Sequence, residues 1–373
     1  MASEPERLSS GSSYFPQKGA GRQPEPWALT ADEFVRAVGG DPVTGRRRYA
    51  ALLRALRPEE LPSPERQYVD GDLVKFAMRV GVGMFVESVI IPMASYRGAQ
   101  WRTLCVSTQV GCRMGCTFCE TGRMGLVRHL EAREIVAQRL VARRILAERG
   151  LCKAGPYRFD HDGIRNIVFM GMGEPLDNFD ELVRALEILA DPAGLAFPFS
   201  HMTVSTVGVA SGLTKLANWA RQDPRRQKLR LAISLHAADD ELRSRLVPVN
   251  RAVPLAKLKE LLRNYPLPPR GLFLVQYVLL RGINDSPAHA RSLATWCRDL
   301  PCVVNLIPYN PQRPALYEPP AESTVLEFLR ILRGQGIFAK RRLTQGQHIA
   351  AACGQLATHE LATTDGHPSP PPH

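Results

Sequence analysis

A repeated alternation of strand-like and helix-like segments is the feature that most restricts the fold of this chain. Six short runs rich in β-branched and other apolar residues occupy residues 103–108, 164–170, 201–206, 229–236, 272–280 and 302–308. Helical patterns occupy residues 131–148, 179–190, 211–220, 255–265, 288–298 and 322–333. Strands that alternate with helices predict a parallel sheet, and their near-continuous apolar character indicates a sheet covered on both faces. Six units are too few for a closed eight-stranded barrel, so the sequence predicts an α/β fold with a partial (β/α)6 barrel.

The remaining segments divide the chain into four parts. Residues 1–26 and 358–373 are rich in small and polar residues and in proline, and we expect them to be disordered. Residues 27–95 predict a small α+β accessory domain of an RNA-binding type. Residues 96–357 hold the barrel and a C-terminal segment.

The accessory domain is predicted from three local patterns. Thr30 precedes an acidic first turn and predicts a capped helix, which ends at a pair of glycines. An Arg-rich helix follows over residues 46–58, and a pair of strands is predicted around residues 81–83.

The charge of the chain is strongly basic. Its 48 Lys and Arg residues exceed its 36 Asp and Glu residues, which gives a net charge of +12. Such an excess favours a nucleic acid or another anionic partner. The Arg-rich helical patterns at residues 46–58 and 133–149 are candidates for contacting phosphates, although either can also be an ordinary solvated face.

Two absences predict a cytoplasmic protein that is not in a membrane. No apolar run approaches the roughly 20 residues that span a bilayer. The first residues lack the apolar core of a secretory signal. Disulfides are rare in the cytosol, so clustered cysteines there more often bind metal or carry out redox chemistry.

Polar residues follow several of the predicted strands. A cysteine-rich loop follows the first strand, the sequence GMGEP follows the second, SLH ends the fourth and NLIPYN ends the sixth. Because active sites of parallel α/β folds lie at the carboxyl ends of the strands, we expect these segments to meet at one site.

The cysteine-rich loop holds Cys112, Cys116 and Cys119 in a C-x3-C-x2-C pattern, with Cys105 seven residues upstream. A structural zinc site normally needs four ligands. An iron–sulfur cluster is also usually held by four thiolates, so three ligands leave one iron free to bind a small molecule. A zinc loop and unligated core cysteines are the alternatives. Cys152, Cys297 and Cys302 are isolated in sequence and are interpreted as ordinary thiols.

The C-x3-C-x2-C pattern after the first strand of a β/α repeat, with Phe118 before its last cysteine, resembles the radical S-adenosylmethionine (SAM) superfamily. The resemblance implies that Cys112, Cys116 and Cys119 hold a [4Fe–4S] cluster whose open iron binds the amino and carboxylate groups of SAM. It also implies that the GMGEP segment binds the amino group of SAM. The residues that it assigns to SAM are Gly173, Glu174, Ser205, Ser234, Leu235, His236 and Asn310.

Five segments in order, CVSTQVGCRMGCTFC, GMGEP, AISLHA, NLIPYNP and AACGQL, resemble a narrower family over residues 70–357. This family is the RlmN and Cfr type of radical SAM RNA-adenine methyltransferases. The resemblance implies that Cys353 becomes S-methylated, that its methyl carbon is joined to an adenine ring carbon, and that Cys105 then releases the RNA by forming a transient disulfide with Cys353. Glu87 is implied to be the proton acceptor, with a solvated glutamate on a strand as the alternative.

The same resemblance implies the cofactors and partners. We expect one cluster per chain, two SAM molecules per turnover, and 23S rRNA or tRNA as substrate, with carbon 2 of adenine favoured over carbon 8. An electron donor such as flavodoxin or ferredoxin is implied, and a monomer is expected.

Two departures from the family pattern lie at Glu120, where relatives carry a small residue, and at His348, where many carry Asp. Either residue can alter the pocket or the position of the RNA. The alternatives are a radical SAM enzyme with a non-RNA substrate and an iron–sulfur or zinc RNA-binding module.

Overall fold

The computed structural model describes residues 25–56, 61–95, 97–152, 163–312, 315–342, 345–347 and 349–357. The predictions for residues 1–24 and 358–373, and for His348, fall outside these ranges.

The strands alternate with helices along most of the described chain. The strands are β1 (Arg66–Asp70), β2 (Leu73–Gly81), β3 (Met84–Ala94), β4 (Gln100–Cys105), β5 (Gln109–Cys112), β6 (Gly125–His129), β7 (Ile164–Phe169), β8 (Met202–Thr206), β9 (Arg230–Ser234), β10 (Phe273–Leu279), β11 (Cys302–Pro308) and β12 (Ala339–Arg341). The helices are α1 (Ala31–Val38), α2 (Pro42–Ala55), α3 (Glu120–Arg123), α4 (Ala132–Glu148), α5 (Phe179–Ala190), α6 (Ala210–Arg221), α7 (Asp240–Leu246), α8 (Leu255–Arg263), α9 (Pro287–Cys297) and α10 (Glu322–Gly334).

The main sheet has ten strands in the order β1-β2-β3-β4-β7-β8-β9-β10-β11-β12. The strands from β4 to β12 in this order pair in parallel, and they include all six predicted strands. Strands β1 to β4 pair antiparallel. The parallel core and the partial barrel are therefore confirmed, because the strand order is open, with β1 and β12 at its two edges.

Four strands were missed by the sequence patterns. Strand β1 pairs with β2 at one edge of the sheet, and the short strand β12 adds a parallel edge to β11. Strands β5 and β6 form a separate hairpin around the cysteine-rich loop. All four are short or rich in glycine and charged residues, so they lack an apolar or alternating signal.

The N-terminal region begins with the predicted capped helix. The Thr30 hydroxyl accepts a hydrogen bond from the Glu33 N–H, and the Glu33 carboxylate accepts one from the Thr30 N–H, which completes a capping box. Phe34, Tyr49 and Leu53 pack in a small core of their own. The predicted strand pair is present as β2 and β3. The accessory domain was expected to end at residue 95. Strand β3 lies before this residue and pairs with β4, which lies after it, so both regions belong to one sheet.

Helix α4 does not offer the phosphate-binding face that its arginines suggested. Arg139 and Arg143 are buried in its packed face. Arg143, Arg144 and Arg149 donate to the carbonyl oxygens of Leu56, Leu61 and Gly71 at 3.3, 2.9 and 3.1 Å. The prediction is wrong for these residues because they bind the backbone of the N-terminal region.

None of the helices in the described ranges is long and apolar enough to cross a membrane.

Candidate active site

A cavity lies at the carboxyl ends of the parallel strands, where the polar segments were expected to meet. It encloses about 940 Å³ including its open mouth. Predicted site residues that line it are Cys112, Cys116, Cys119, Gly173, Glu174, Ser205, Ser234, His236, Asn310 and Cys353.

The cysteine-rich loop begins in the β5–β6 hairpin. Gly111 has a φ of +72°, and a Cβ there would lie 1.9 Å from the carbonyl oxygen of Gly125. Only glycine permits this close approach, which brings the two strands together directly before Cys112. The Cys119 N–H donates to the Cys116 carbonyl oxygen at 3.2 Å, so the loop turns back on itself and all three thiols face the cavity.

The donor set of this loop fits an iron–sulfur cluster. Burial raises the pKa of Cys112 to about 12 and raises the pKa values of Cys116 and Cys119. In the described ranges no three His, Cys, Asp or Glu side chains form a group that could hold a metal ion. A cluster differs from a single metal ion because each thiolate binds a different iron, so its ligands surround a cavity, as these three do.

A buried polar atom on the cavity wall also suits a bound cofactor. Gln276 Oε1 finds no hydrogen-bond partner within the described part of the chain, although the residue lines the cavity. Buried polar atoms are nearly always bonded, so this oxygen is available to a ligand.

The GMGEP segment places a carboxylate against the loop. A Cβ on Gly173, whose φ is +99°, would lie 2.6 Å from the Gln109 side chain. Glu174 is buried, and its two carboxylate oxygens accept from the Leu176 and Val207 N–H groups, each at 3.0 Å. Burial raises the pKa of Glu174 to about 7. Each oxygen keeps a second lone pair for an ammonium group.

The strand ends of β8 and β9 contribute two hydroxyls and a histidine. Ser205 Oγ and Ser234 Oγ lie 3.3 Å apart. His236 has a φ of +62°, and its Nδ1 accepts from the Val278 N–H at 3.0 Å. Burial and the nearby Arg243 lower the pKa of His236 to about 3, so the ring is neutral. Leu235 is fully buried in the core and its side chain does not line the cavity.

Of the two remaining cysteines of the predicted chemistry, Cys353 lines the cavity, whereas Cys105 lies behind its wall and close to Cys353. Cys105 ends β4, and burial followed by the neighbouring Cys353 raises its pKa to about 12. Arg342 acts in the opposite direction on the pKa of Cys105 and also lines the cavity. Sequence reasoning missed Arg342, Gln276 and Tyr309. The sequence offered one indication among these three residues, because Gln276 is a polar residue inside an otherwise apolar strand.

Cys353 lies in a segment without helix or strand, residues 349–357, that we call the C-terminal segment. Asn310 Nδ2 donates to the Cys353 carbonyl oxygen at 3.2 Å, and the Glu120 N–H donates to the Gly354 carbonyl oxygen at 2.8 Å. Thr121 Oγ1 donates to the Leu356 carbonyl oxygen at 2.6 Å. Glu120, which departs from the family pattern, thus lies where the cysteine-rich loop meets this segment.

Glu87 is not the solvated glutamate of the alternative interpretation. It is 3% exposed and does not line the cavity. Its Oε1 lies 3.0 Å from Lys75 Nζ, and its Oε2 accepts from the Ala357 N–H at 3.0 Å.

Cys297 and Cys302 are not isolated from each other, as their sequence positions suggested. Cys302 Sγ donates to the Cys297 carbonyl oxygen at 3.9 Å. They pack between the end of α9 and the start of β11, away from the cavity.

Comparison with known proteins agrees with this geometry. The model of the radical SAM superfamily matches residues 106–293. A radical SAM methyltransferase from Sphaerobacter thermophilus superposes with a TM-score of 0.74 at 35% identity, over 88% of this chain and 98% of that protein.

Curated relatives are similar over most of their length. The dual-specificity RNA methyltransferase RlmN of Lawsonia intracellularis is 42% identical over 85% of this chain and 84% of its own. The RlmN of Nitratidesulfovibrio vulgaris is 42% identical over 91% of this chain and 88% of its own. The RlmN of Syntrophobacter fumaroxidans is 40% identical over 78% of each chain. The chain therefore belongs to the radical SAM superfamily, whose cofactors are a [4Fe–4S] cluster and SAM, and within it to the RlmN family of RNA methyltransferases.

Proposed function

We propose that this enzyme methylates a ring carbon of adenine in RNA through a methyl group carried on Cys353. The observation that carries the proposal is the meeting of Cys353 with Cys105 beside the three cysteines of the loop. Cys353 lines the same cavity as the loop, and it is close enough to Cys105 to raise the pKa of that thiol.

The cofactor site is assigned to the residues of the cavity wall. Cys112, Cys116 and Cys119 would hold one [4Fe–4S] cluster and leave one iron for SAM. Gly173 and Glu174 would bind the ammonium group of SAM, and Ser205, Ser234, His236 and Asn310 would bind its other polar atoms, with Leu235 contributing only backbone. Bound there, the cluster and SAM supply the one-electron chemistry that activates an unreactive methyl group.

Cys353 and Cys105 divide the covalent work. Cys353 would receive its methyl group from one SAM, and the one-electron chemistry of the cluster with a second SAM would remove a hydrogen atom from that methyl group. The methyl carbon could then bond to the adenine ring, which would lose its ring proton and pass one electron back to the cluster. Cys105 as a thiolate attacks the Cys353 sulfur, which breaks the sulfur–carbon bond and leaves a disulfide. The released carbon takes a proton and becomes the new methyl group. The positive charge of Arg342 favours the thiolate of Cys105, whose pKa burial raises.

Glu87 is the proposed acceptor of the proton that leaves the adenine ring. A carboxylate can perform this step when it is shielded from water. Glu87 is bonded to Lys75 through Oε1 and to the Ala357 N–H through Oε2, and each oxygen has a second lone pair that can receive a proton.

RNA is the proposed substrate, with 23S rRNA and tRNA as its sources and carbon 2 favoured over carbon 8. The names of the relatives and the net charge of +12 support an RNA partner. We assign part of the RNA contact to the accessory region, residues 27–95, because Arg47 and Arg48 on α2 are exposed. A monomer is proposed, with a flavodoxin or ferredoxin as electron donor.

The test is a covalent trap. Cys105→Ala should accumulate an RNA adduct on Cys353, because no thiolate is present to break the sulfur–carbon bond. Cys353→Ala should give neither adduct nor product, and Cys152→Ala is the matched control that should retain activity. Mass spectrometry of the peptide and of digested nucleosides reads both the adduct and the methylated carbon. Methylation that persists without Cys353 or Cys105 would exclude this route.

A further inference from the structure

Lys75 and Glu87 form a buried ion pair in the antiparallel part of the sheet. Ala77 is the direct partner of Glu87 across β2 and β3, so Lys75 is its diagonal neighbour on the same face. Lys75 is 6% exposed and Glu87 is 3% exposed, with 3.0 Å between Nζ and Oε1. Burying two charges is costly, and an apolar pair is often at least as stable. A role other than stability is therefore worth seeking for this pair.

The second oxygen of Glu87 points to that role. Glu87 Oε2 accepts from the Ala357 N–H at 3.0 Å, four positions after Cys353. The C-terminal segment has no helix or strand of its own. Ala351 and Leu356 of the segment pack in the main core, and Gln355 Nε2 donates to the Pro311 carbonyl oxygen at 2.8 Å. Asn310, Glu120 and Thr121 donate to backbone carbonyl oxygens of the segment, and Glu87 accepts from its backbone. Among these contacts, the bond to Glu87 is the one made with a charged side chain of the antiparallel strands.

Lys75 fixes the direction of that bond. Its ammonium group holds Oε1, and its position over the Tyr68 ring, 4.8 Å from the ring centroid, limits where Nζ can go. With Oε1 held, Oε2 faces the Ala357 N–H. The strands β2 and β3 thus hold one end of the segment, while the cysteine-rich loop and Asn310 hold its middle.

We propose that Lys75 and Glu87 are positioning residues for Cys353, and that they act by fastening the end of the C-terminal segment to the antiparallel strands. The inference rests on the proposed role of Cys353. It gives Lys75 a function.

The experiment measures the position of Cys353 without turnover, in enzyme that contains its cluster. Lys75→Met/Glu87→Leu replaces the pair with apolar side chains and should keep the melting temperature near that of the native protein. It should nevertheless raise the alkylation rate of Cys353 by iodoacetamide about tenfold, because a bond to a charged acceptor is lost. The rate is read by peptide mass spectrometry against Cys152 in the same sample. Hydrogen exchange at residues 350–357 should accelerate in parallel.

Two further variants separate positioning from general weakening. Lys75→Arg keeps the ion pair and should stay near the native alkylation rate. Arg128→Met breaks a different ion pair, 2.7 Å from Arg128 to Glu134, and should leave Cys353 unchanged. An unchanged Cys353 rate in the double variant would overturn the proposal, and so would an equal rise in Arg128→Met. Methylation that survives in Cys353→Ala would remove the proposed function but not the positioning result.

Discussion

The two regions that bring cysteines to the cavity are built in opposite ways. The cysteine-rich loop is shaped by its own backbone, because the β5–β6 hairpin and Gly111 fix the chain directly before Cys112. The C-terminal segment has no regular structure and is held from outside by Asn310, Thr121 and Glu87. The first region can therefore be disrupted by local changes, while the second depends on residues far away in the sequence.

The difference suits the two kinds of chemistry. A cluster needs ligands that keep their places throughout a reaction. In the proposed route Cys353 accepts a methyl group, bonds to RNA through it and then forms a disulfide, so it must meet different partners in turn. Individual hydrogen bonds, each worth about 1 kcal/mol, can be exchanged more easily than a strand pairing. We expect perturbations of the two regions to separate accordingly.

The largest effect is expected from Cys116→Ala. Loss of one of three thiolates should reduce the iron content from about four atoms per chain to below about one. RNA methylation should fall to background. Cys353→Ala is the matched control, because it should abolish methylation with full iron content. Anaerobic iron and sulfide analysis measures the iron content. Equal iron loss in the two variants would contradict the proposal that the cysteine-rich loop alone holds the cluster.

The next effect is expected from Gly111→Ala. A Cβ would lie 1.9 Å from the Gly125 carbonyl oxygen at a φ of +72°. The overlap and the left-handed backbone together should cost more than about 3 kcal/mol of unfolding free energy. Denaturant titration measures the loss, and iron content should fall with it. A stable, fully loaded Gly111→Ala protein would show that the hairpin does not fix the loop.

An intermediate effect is expected from Glu174→Gln, at the proposed SAM site between the two regions. The neutral amide cannot pair with an ammonium group, so SAM affinity should fall about 10- to 100-fold, the value of a hydrogen bond to a charged group. Calorimetry on cluster-loaded protein measures the change. Unaltered affinity would remove Glu174 from the cofactor site.

The smallest effect is expected from Gly354→Ala, in the C-terminal segment. Its φ is +85°, but the nearest atom to a new Cβ, the Phe118 carbonyl oxygen, is 3.3 Å away. The backbone strain should cost about 1 kcal/mol, with normal iron content and slower methylation. A loss of stability as large as that of Gly111→Ala would contradict the proposed difference between the two regions.

The fold was largely predictable because its signal is local. The six barrel strands and their helices are long apolar or amphipathic segments, and their periodicity is visible in the sequence. Strands β1, β5, β6 and β12 were missed because they are short and contain glycine or charged residues, which hide their pairing. The arginines of α4 were misread for a related reason. Composition shows that Arg139 and Arg143 are basic, but only packing shows that they are buried.

By itself, the sequence determined the α/β repeat, the cysteine spacing and the order of the family motifs, because each depends on residues close together in the chain. Only the tertiary structure decided which distant groups meet. It put Cys105 beside Cys353, lined the cavity with Arg342, Gln276 and Tyr309, and buried Glu87 against Lys75 and the Ala357 N–H. Burial and hydrogen bonding between distant segments follow from how the sheet folds, and no local pattern encodes them.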